Sequence, residues 1–324
     1  MTSRRVSSAA VRNVALVTAI FYGLLMLTGA GVRLTGSGLG CPDWPSCYQH
    51  RLTAVDSFHP MVEFVNRLVT VTLTATSLAS LAAALLRRPR RRDLVWLAAA
   101  IVGGIAGQIV IGGIVVLTRL NPYLVALHFL LTIVIIVVAL ALFHRSRLSE
   151  DRVELTPRQL VGNDLVWLAR LLLAALALVT VIGTMVTGAG PHSGTAAAGE
   201  PVRRVAMSFR DIAEVHTDAA LFLMGLTAAA LFAFGHAKAP LNVRRHLLIM
   251  FELMIVQGAV GYAQYFLHDA PGLVEVHVAV LTTLWATAVA FYLSLHGHAA
   301  LARGGADHDA RPPRQPALRA EVRA

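Results

Sequence analysis

One stretch occurs twice, and it constrains the plan of the whole chain. Gln108 to His128 reads QIVIGGIVVLTRLNPYLVALH, and Gln257 to His277 reads QGAVGYAQYFLHDAPGLVEVH. Both copies run from a glutamine to a histidine over the same length. Between those ends Gly112 matches Gly261, Pro122 matches Pro271, Leu124 matches Leu273 and Val125 matches Val274. Each copy reads as the end of one apolar helix, a short Pro-containing turn and the start of the next helix, with its histidine on that helix's second turn. Upstream, Thr28-Gly29-Ala30-Gly31 returns as Thr187-Gly188-Ala189-Gly190. Two copies in the same order mean a duplicated unit, and a duplicated unit should build two similar sites.

The apolar segments that carry these copies are long. Of 324 residues, 56% are hydrophobic and 14% charged, with a mean hydropathy of +0.65. A soluble domain could not bury that much apolar surface, which makes this a polytopic membrane protein. Windows of about 20 apolar residues, enough to cross a hydrocarbon core of roughly 30 Å, fall near Val11–Gly31, Pro60–Leu86, Leu94–Leu117, Tyr123–Phe143, Asp164–Gly188, Phe209–Gly235, Leu247–Leu267 and Gly272–Leu295. The first is read as a mature helix, because its Thr28–Gly31 end belongs to the repeat and no small-residue cleavage site follows.

The expected fold is therefore all-α, with eight transmembrane helices in two pseudo-twofold-related four-helix bundles. Residues 1–10 form a cytoplasmic tail, 11–144 the first bundle, 145–163 a cytoplasmic linker, 164–295 the second bundle and 296–324 a disordered cytoplasmic tail. The net charge of +10 follows the same plan: alternate loops on one side hold 20 of the 28 Lys and Arg residues. By the positive-inside rule both termini are cytoplasmic, in a plasma-membrane location. The basic charge is topology, which removes nucleic acid as an expected partner.

Cys41 and Cys47 are the chain's two cysteines and flank a Pro-rich loop on the oxidising face. A disulfide between them is expected, and the spacing leaves open whether it staples the loop or relays electrons. Helix 2 carries His59, Glu63, Asn66 and Arg67 near its outer end. A glutamate in a membrane helix is a functional candidate by default, although Glu63 and Arg67 at four-residue spacing could simply neutralise each other.

Most of the thirteen histidines lie in loops or at boundaries, including His50, His298 and His308. His128, His216 and His277 lie inside helices 4, 6 and 8, all entering from the outer face, at matched depth. Zinc would want three or four ligands in tetrahedral array. Facing histidines in a bundle core suit haem iron held from both sides.

These residues resemble the haem A synthase family. The resemblance rests on GAGVRLTGSGLGCPDWPSC (Gly29–Cys47), EFVNR (Glu63–Arg67) and the histidines His128, His216 and His277. It implies two four-helix bundles from a duplication, each with a haem site, and an enzyme that oxidises a ring methyl of haem O to a formyl group in successive steps, giving haem A for a terminal oxidase. It further implies that His216 and His277 are axial ligands of haem b in the second half. His128 is then the retained ligand for substrate haem O in the first, Glu63 the catalytic carboxylate, and Cys41–Cys47 the family's outer-loop disulfide. Many members have histidine where this chain has Asn66, so the first-half cofactor site lacks one expected iron ligand. His59, about 10 Å away along the axis at 1.5 Å per residue, is a poor substitute.

The partners expected on this reading are haem O and haem A, haem O synthase, terminal oxidase assembly factors, the lipid membrane and further copies of the chain in a homo-oligomer. A b-type dihaem electron-transfer cytochrome is the alternative. A transporter with parallel repeats would need a broken helix or an ionisable midplane site, and the polar groups cluster instead at the outer end.

Overall fold

A computed structural model describes residues 6–48, 51–54, 56–148, 158–194 and 202–297. His50, His298, His308, the first five residues, the middle of the 145–163 linker and nearly all of the 296–324 tail lie outside the described residues. Among those described are eight helices, each long and apolar enough to cross a membrane. They are α1 (Ser8–Leu34), α2 (Phe58–Leu86), α3 (Arg92–Leu117), α4 (Pro122–Ser146), α5 (Asn163–Ala189), α6 (Phe209–His236), α7 (Leu241–Phe266) and α8 (Pro271–Ser294). The chain is a multi-pass, all-α membrane protein.

Most helix bounds fall within three residues of the apolar windows. The exception is α7, which starts at Leu241 rather than near Leu247, because Asn242, Arg244, Arg245 and His246 wind as helix although they are too polar to register in a hydropathy window. At the start of the expected C-terminal tail, His296–Gly297 pairs antiparallel with Arg158–Gln159 of the linker. This short β1–β2 ribbon ties the linker to the end of α8.

Helix starts follow local chemistry. Ser7 Oγ accepts from Ala10 N at the head of α1, and Asn121 Oδ1 accepts from Tyr123 N at the head of α4. Each takes up an N–H that has no partner within its helix. Pro122 and Pro271 occupy the first turns of α4 and α8, where a missing N–H costs nothing. The repeated stretch also builds the same turn twice. Arg119 and Leu120 before α4, and His268 and Asp269 before α8, all have φ between 50° and 57°. Neither copy has glycine there. Leu120 is held by contacts over Gly38 and Gly194, which fix this otherwise disfavoured backbone.

In the first half α1, α2, α3 and α4 touch in a closed ring, with α2 and α4 on a diagonal and without backbone contact. In the second half α5, α6, α7 and α8 follow the same order, but α5 and α8 only brush each other. The halves meet through α1 with α8, α4 with α8 and α4 with α5. Exchanging α1 with α5 and α4 with α8 maps that set of contacts onto itself, as a twofold axis along the membrane normal would require.

The buried faces keep the repeat in register. On α2 the face is Leu73, Ser77, Ser80 and Ala84; on α6 it is Leu223, Thr227, Ala230 and Phe234, at identical spacing. Likewise Ile135, Ile136, Ala139 and Leu142 of α4 match Leu284, Trp285, Ala288 and Phe291 of α8. Carried outward, the first register sets Asn66 at the position of His216. On α1 and α5 the buried faces align out of step with the Thr-Gly-Ala-Gly echo: Val11, Ala15, Thr18, Tyr22 and Met26 match Leu165, Ala169, Leu172, Leu176 and Thr180. In that register Gly29 takes the place of Gly183.

Candidate functional site

His128, His216 and His277 sit on the second turns of α4, α6 and α8. Each imidazole lies against a glycine of a neighbouring helix: His128 on Gly112 of α3, His216 on Gly183 of α5 and His277 on Gly261 of α7. A glycine lets a ring approach the partner backbone more closely than any side chain would allow. All three Nδ1 atoms are buried and lack a hydrogen bond. For His216 the Val179 carbonyl comes near the ring, but no hydrogen bond of acceptable geometry closes on Nδ1. His216 and His277 are within Coulombic reach of one another across the second bundle.

The glutamine that opens each copy has a matched role. Gln108 Nε2 donates to the His128 carbonyl at 3.0 Å, and Gln257 Nε2 donates to the His277 carbonyl at 3.2 Å. Gln108 also reaches Thr132 Oγ1 at 2.6 Å. The shared span from glutamine to histidine thus pins the histidine-bearing turn of α4 to α3, and that of α8 to α7.

At the first-half outer end, Cys41 and Cys47 form a disulfide and are fully buried. The loop they close is clamped to α2 by Glu63 and Arg67. Glu63 Oε2 accepts from Cys41 N at 2.8 Å, and Oε1 accepts from Arg67 Nη2 at 2.7 Å. Arg67 also donates to the carbonyls of Ser46, Cys41 and Asp43. The Glu63–Arg67 pair is therefore an ion pair with a further task, holding four backbone groups of the loop. Gly40 lets the loop lie directly on the His59 carbonyl, where a β-carbon would collide with the backbone. His59 itself is exposed and its Nδ1 bonds Ser37 Oγ at 3.0 Å, which turns it toward the loop.

Trp44, from the middle of the loop, lies on α3 over Gly113, adjacent to the glycine that seats His128. Asn66 Oδ1 accepts from Thr28 Oγ1 at 2.8 Å, so α1 fixes the amide of α2. Among the described residues no cluster of three or more His, Cys, Asp or Glu could hold a bare metal ion.

Several participants were not legible as such. Arg33 counts in the sequence as an outer-loop charge. It lies instead on the last turn of α1 and donates to the carbonyls of Thr187, His192 and Ser193, joining the halves at the end of α5. His192 Nε2 bonds the Asp269 carbonyl at 2.7 Å. Burial raises the Asp269 carboxyl above its ordinary range, with nearby His192 opposing. Glu275, two residues before His277, has a buried and unpartnered Oε2. Gly183 lies outside both repeated stretches, and only helix packing reveals its contact with His216.

Comparison with known proteins bears on the same residues. Relatives named heme A synthase are 34% identical over 112 residues in Geobacillus kaustophilus (strain HTA426) and 32% identical over 116 residues in Lysinibacillus sphaericus (strain C3-41). One from Shewanella oneidensis is 56% identical over 34 residues. The first two matches cover 34% and 35% of this chain, and 34% and 37% of those proteins; the third covers 10% of each. The chain thus spans only about a third of the length of the first relatives it matches. The COX15-CtaA family, described as cytochrome oxidase assembly protein, matches residues 12–217. That is more than half of the chain and includes Glu63, Asn66, His128 and His216. A match of that extent, over helices that carry the clamped loop and two of the three seated histidines, makes this chain a member of the COX15-CtaA family.

Proposed function

We propose that this protein is a haem A synthase, a membrane oxidoreductase that converts a ring methyl of haem O to the formyl group of haem A. In this reading His216 and His277 hold a haem b in the second half, and His128 holds substrate haem O in the first. The bound haem supplies the iron chemistry. The chain's own residues bind and orient the ring, exclude water and handle protons at its edge.

The observation that carries the reading is the set of three seated imidazoles. Each has a buried, unpaired Nδ1 and a glycine that leaves room for the ring. A histidine that would hold haem iron needs a ring nitrogen left free for it and a ring held in place, and these seats suit both needs. Two histidines across a bundle cannot complete a bare zinc site, whereas a porphyrin brings four equatorial ligands with it. The residues therefore fit a haem.

The difference between the halves supports an enzyme over an electron carrier. A carrier is served by two saturated sites; here only the second half offers two facing histidines. The first has His128, Asn66 and a carboxylate held under the disulfide loop. Glu63 is the proton-accepting group of this proposal, and its bonds to Cys41 and Arg67 fix its position. The relatives named heme A synthase support the same activity. Both termini are assigned to the cytoplasmic side of the plasma membrane from the charge bias. Haem O synthase, terminal oxidase assembly factors and a homo-oligomer are the partners that go with this activity.

The test is extraction of pigment from the purified protein, and from cells supplied with haem O, with chromatographic separation of haems B, O and A. Haem A formation that depends on this chain is the expected result. Recovery of haem B alone, with no conversion, would overturn the proposal in favour of a cytochrome.

A further inference from the structure

We infer that the first-half site is built to hold haem through His128 alone, with Asn66 as a fixed amide donor over the opposite face that accepts a small diatomic ligand. The inference rests on the haem-binding reading above and concerns what this chain does with a position where the second half has histidine.

Three observations converge on it. The shared register of buried residues on α2 and α6 sets Asn66 where His216 stands, at the same outer depth. Because α2 and α4 lie on a diagonal of the first ring, as α6 and α8 do in the second, Asn66 lies across from His128 as His216 lies across from His277. Second, Asn66 is not a loose replacement. Thr28 Oγ1 donates to its Oδ1 at 2.8 Å, and Thr28 is itself on a helix. The carbonyl end of the amide is thereby spent on α1, and the Nδ2 donors remain. Among the described residues no hydrogen bond from Nδ2 is formed.

The third observation concerns space. His216 fits because Gly183 leaves room for its ring, and a β-carbon there would lie 3.0 Å from Cε1. In the register of α1 and α5 the first half carries Gly29 at the position of Gly183, and a β-carbon there would meet nothing within 4 Å. The glycine seat is therefore kept while the imidazole is replaced by a shorter amide. The exchange gives up ligation on that face and leaves space over it.

An amide cannot match imidazole as an iron ligand, but an N–H can donate to the outer atom of a diatomic molecule bound on that side. The site is thus a five-coordinate one with a polar, donor-bearing face. The second half, with His216 and His277, has no free face. One chain would then present one saturated and one open haem.

The experiment is titration of haem B into the purified full-length protein, with reduction and exposure to carbon monoxide, read by visible and infrared spectroscopy. The second-half haem should stay low-spin and unreactive, which also reports that the protein is folded. A second equivalent should bind carbon monoxide, and His128→Ala should lose that equivalent alone. Asn66→Leu should keep carbon monoxide bound but shift its stretch to higher wavenumber, because the donor is gone. Asn66→His, with Gly29 leaving room for the ring, should become low-spin and unreactive. If no haem is retained in either half, the proposed function itself fails. If haem binds but every equivalent in the parent is unreactive, or if Asn66→Leu leaves the stretch unmoved, the one-histidine site is wrong and the rest of the reading stands.

Discussion

Gly183→Ala and Gly261→Ala are the same change made under two histidines that the proposal assigns to one haem, and they should behave differently. An ideal β-carbon would lie 3.0 Å from His216 Cε1 at position 183, but 3.6 Å from His277 Cε1 at position 261. Carbon atoms rest comfortably at about 3.5–4.0 Å. The methyl at 261 therefore fits as the structure stands, while at 183 the imidazole must retreat by about half an ångström. Overpacking of this kind costs about 1–3 kcal/mol. Alanine in place of a mid-helix glycine returns at most about 1 kcal/mol. Gly261→Ala should thus be neutral or slightly stabilising, and Gly183→Ala destabilising by about 1–2 kcal/mol. If the ring yields instead, ligation through His216 weakens. The assay is the visible spectrum of the purified protein with its melting temperature followed at the Soret band. Gly183→Ala should lose low-spin intensity or melt earlier, and Gly261→Ala should do neither. Indistinguishable spectra and melting in the two variants would refute the claim that these glycines seat the axial rings.

Glu63→Gln keeps an oxygen for Cys41 N but turns an amide N–H₂ toward Arg67; we expect haem O to stay bound while conversion to haem A stalls, and haem A made at the parental rate would remove Glu63 from the chemistry. The Cys41→Ser, Cys47→Ser double variant should lose at most about 3 kcal/mol of stability, because Glu63 and Arg67 still hold the loop; loss of all turnover at normal haem content would instead show a redox role. Arg33→Leu leaves the carbonyls of Thr187, His192 and Ser193 without their cation and should cost about 2–4 kcal/mol in detergent melts; an unchanged melting temperature would mean that the halves do not depend on this cap. Burial raises the Asp269 carboxyl, so the folded state holds that proton more tightly than the unfolded chain. Its contribution is present below the ordinary carboxylate range and is lost as pH rises through the raised one. Asp269→Asn should flatten that part of the stability profile, and a profile identical to the parent would show that the shift is without consequence.

The number of helices, their order and the duplication were legible because apolar length and repeated spacing are local properties of the chain. So was the matched depth of His128, His216 and His277, since each lies a fixed distance from a helix start that its own residues specify. The start of α7 was misplaced because Asn242, Arg244, Arg245 and His246 are polar, and polarity conceals a helix from a hydropathy window without preventing it. Partners from distant parts of the chain could not be read. Arg33 looked like a loop charge until the halves met and set the carbonyls of α5 before it. Glu63 and Arg67 read equally as a functional site or a self-neutralising pair until the loop folded back and gave the carboxylate Cys41 N. Gly183 carries no signal of its own; only the packing of α5 on α6 makes it the seat of His216. Likewise Asn66 read as a missing ligand, and only the approach of Thr28 shows it held in place. Sequence sets which groups exist and at what depth each lies along its own helix. Which groups share a contact is decided by how the helices pack, because those energies depend on side chains that meet only in three dimensions.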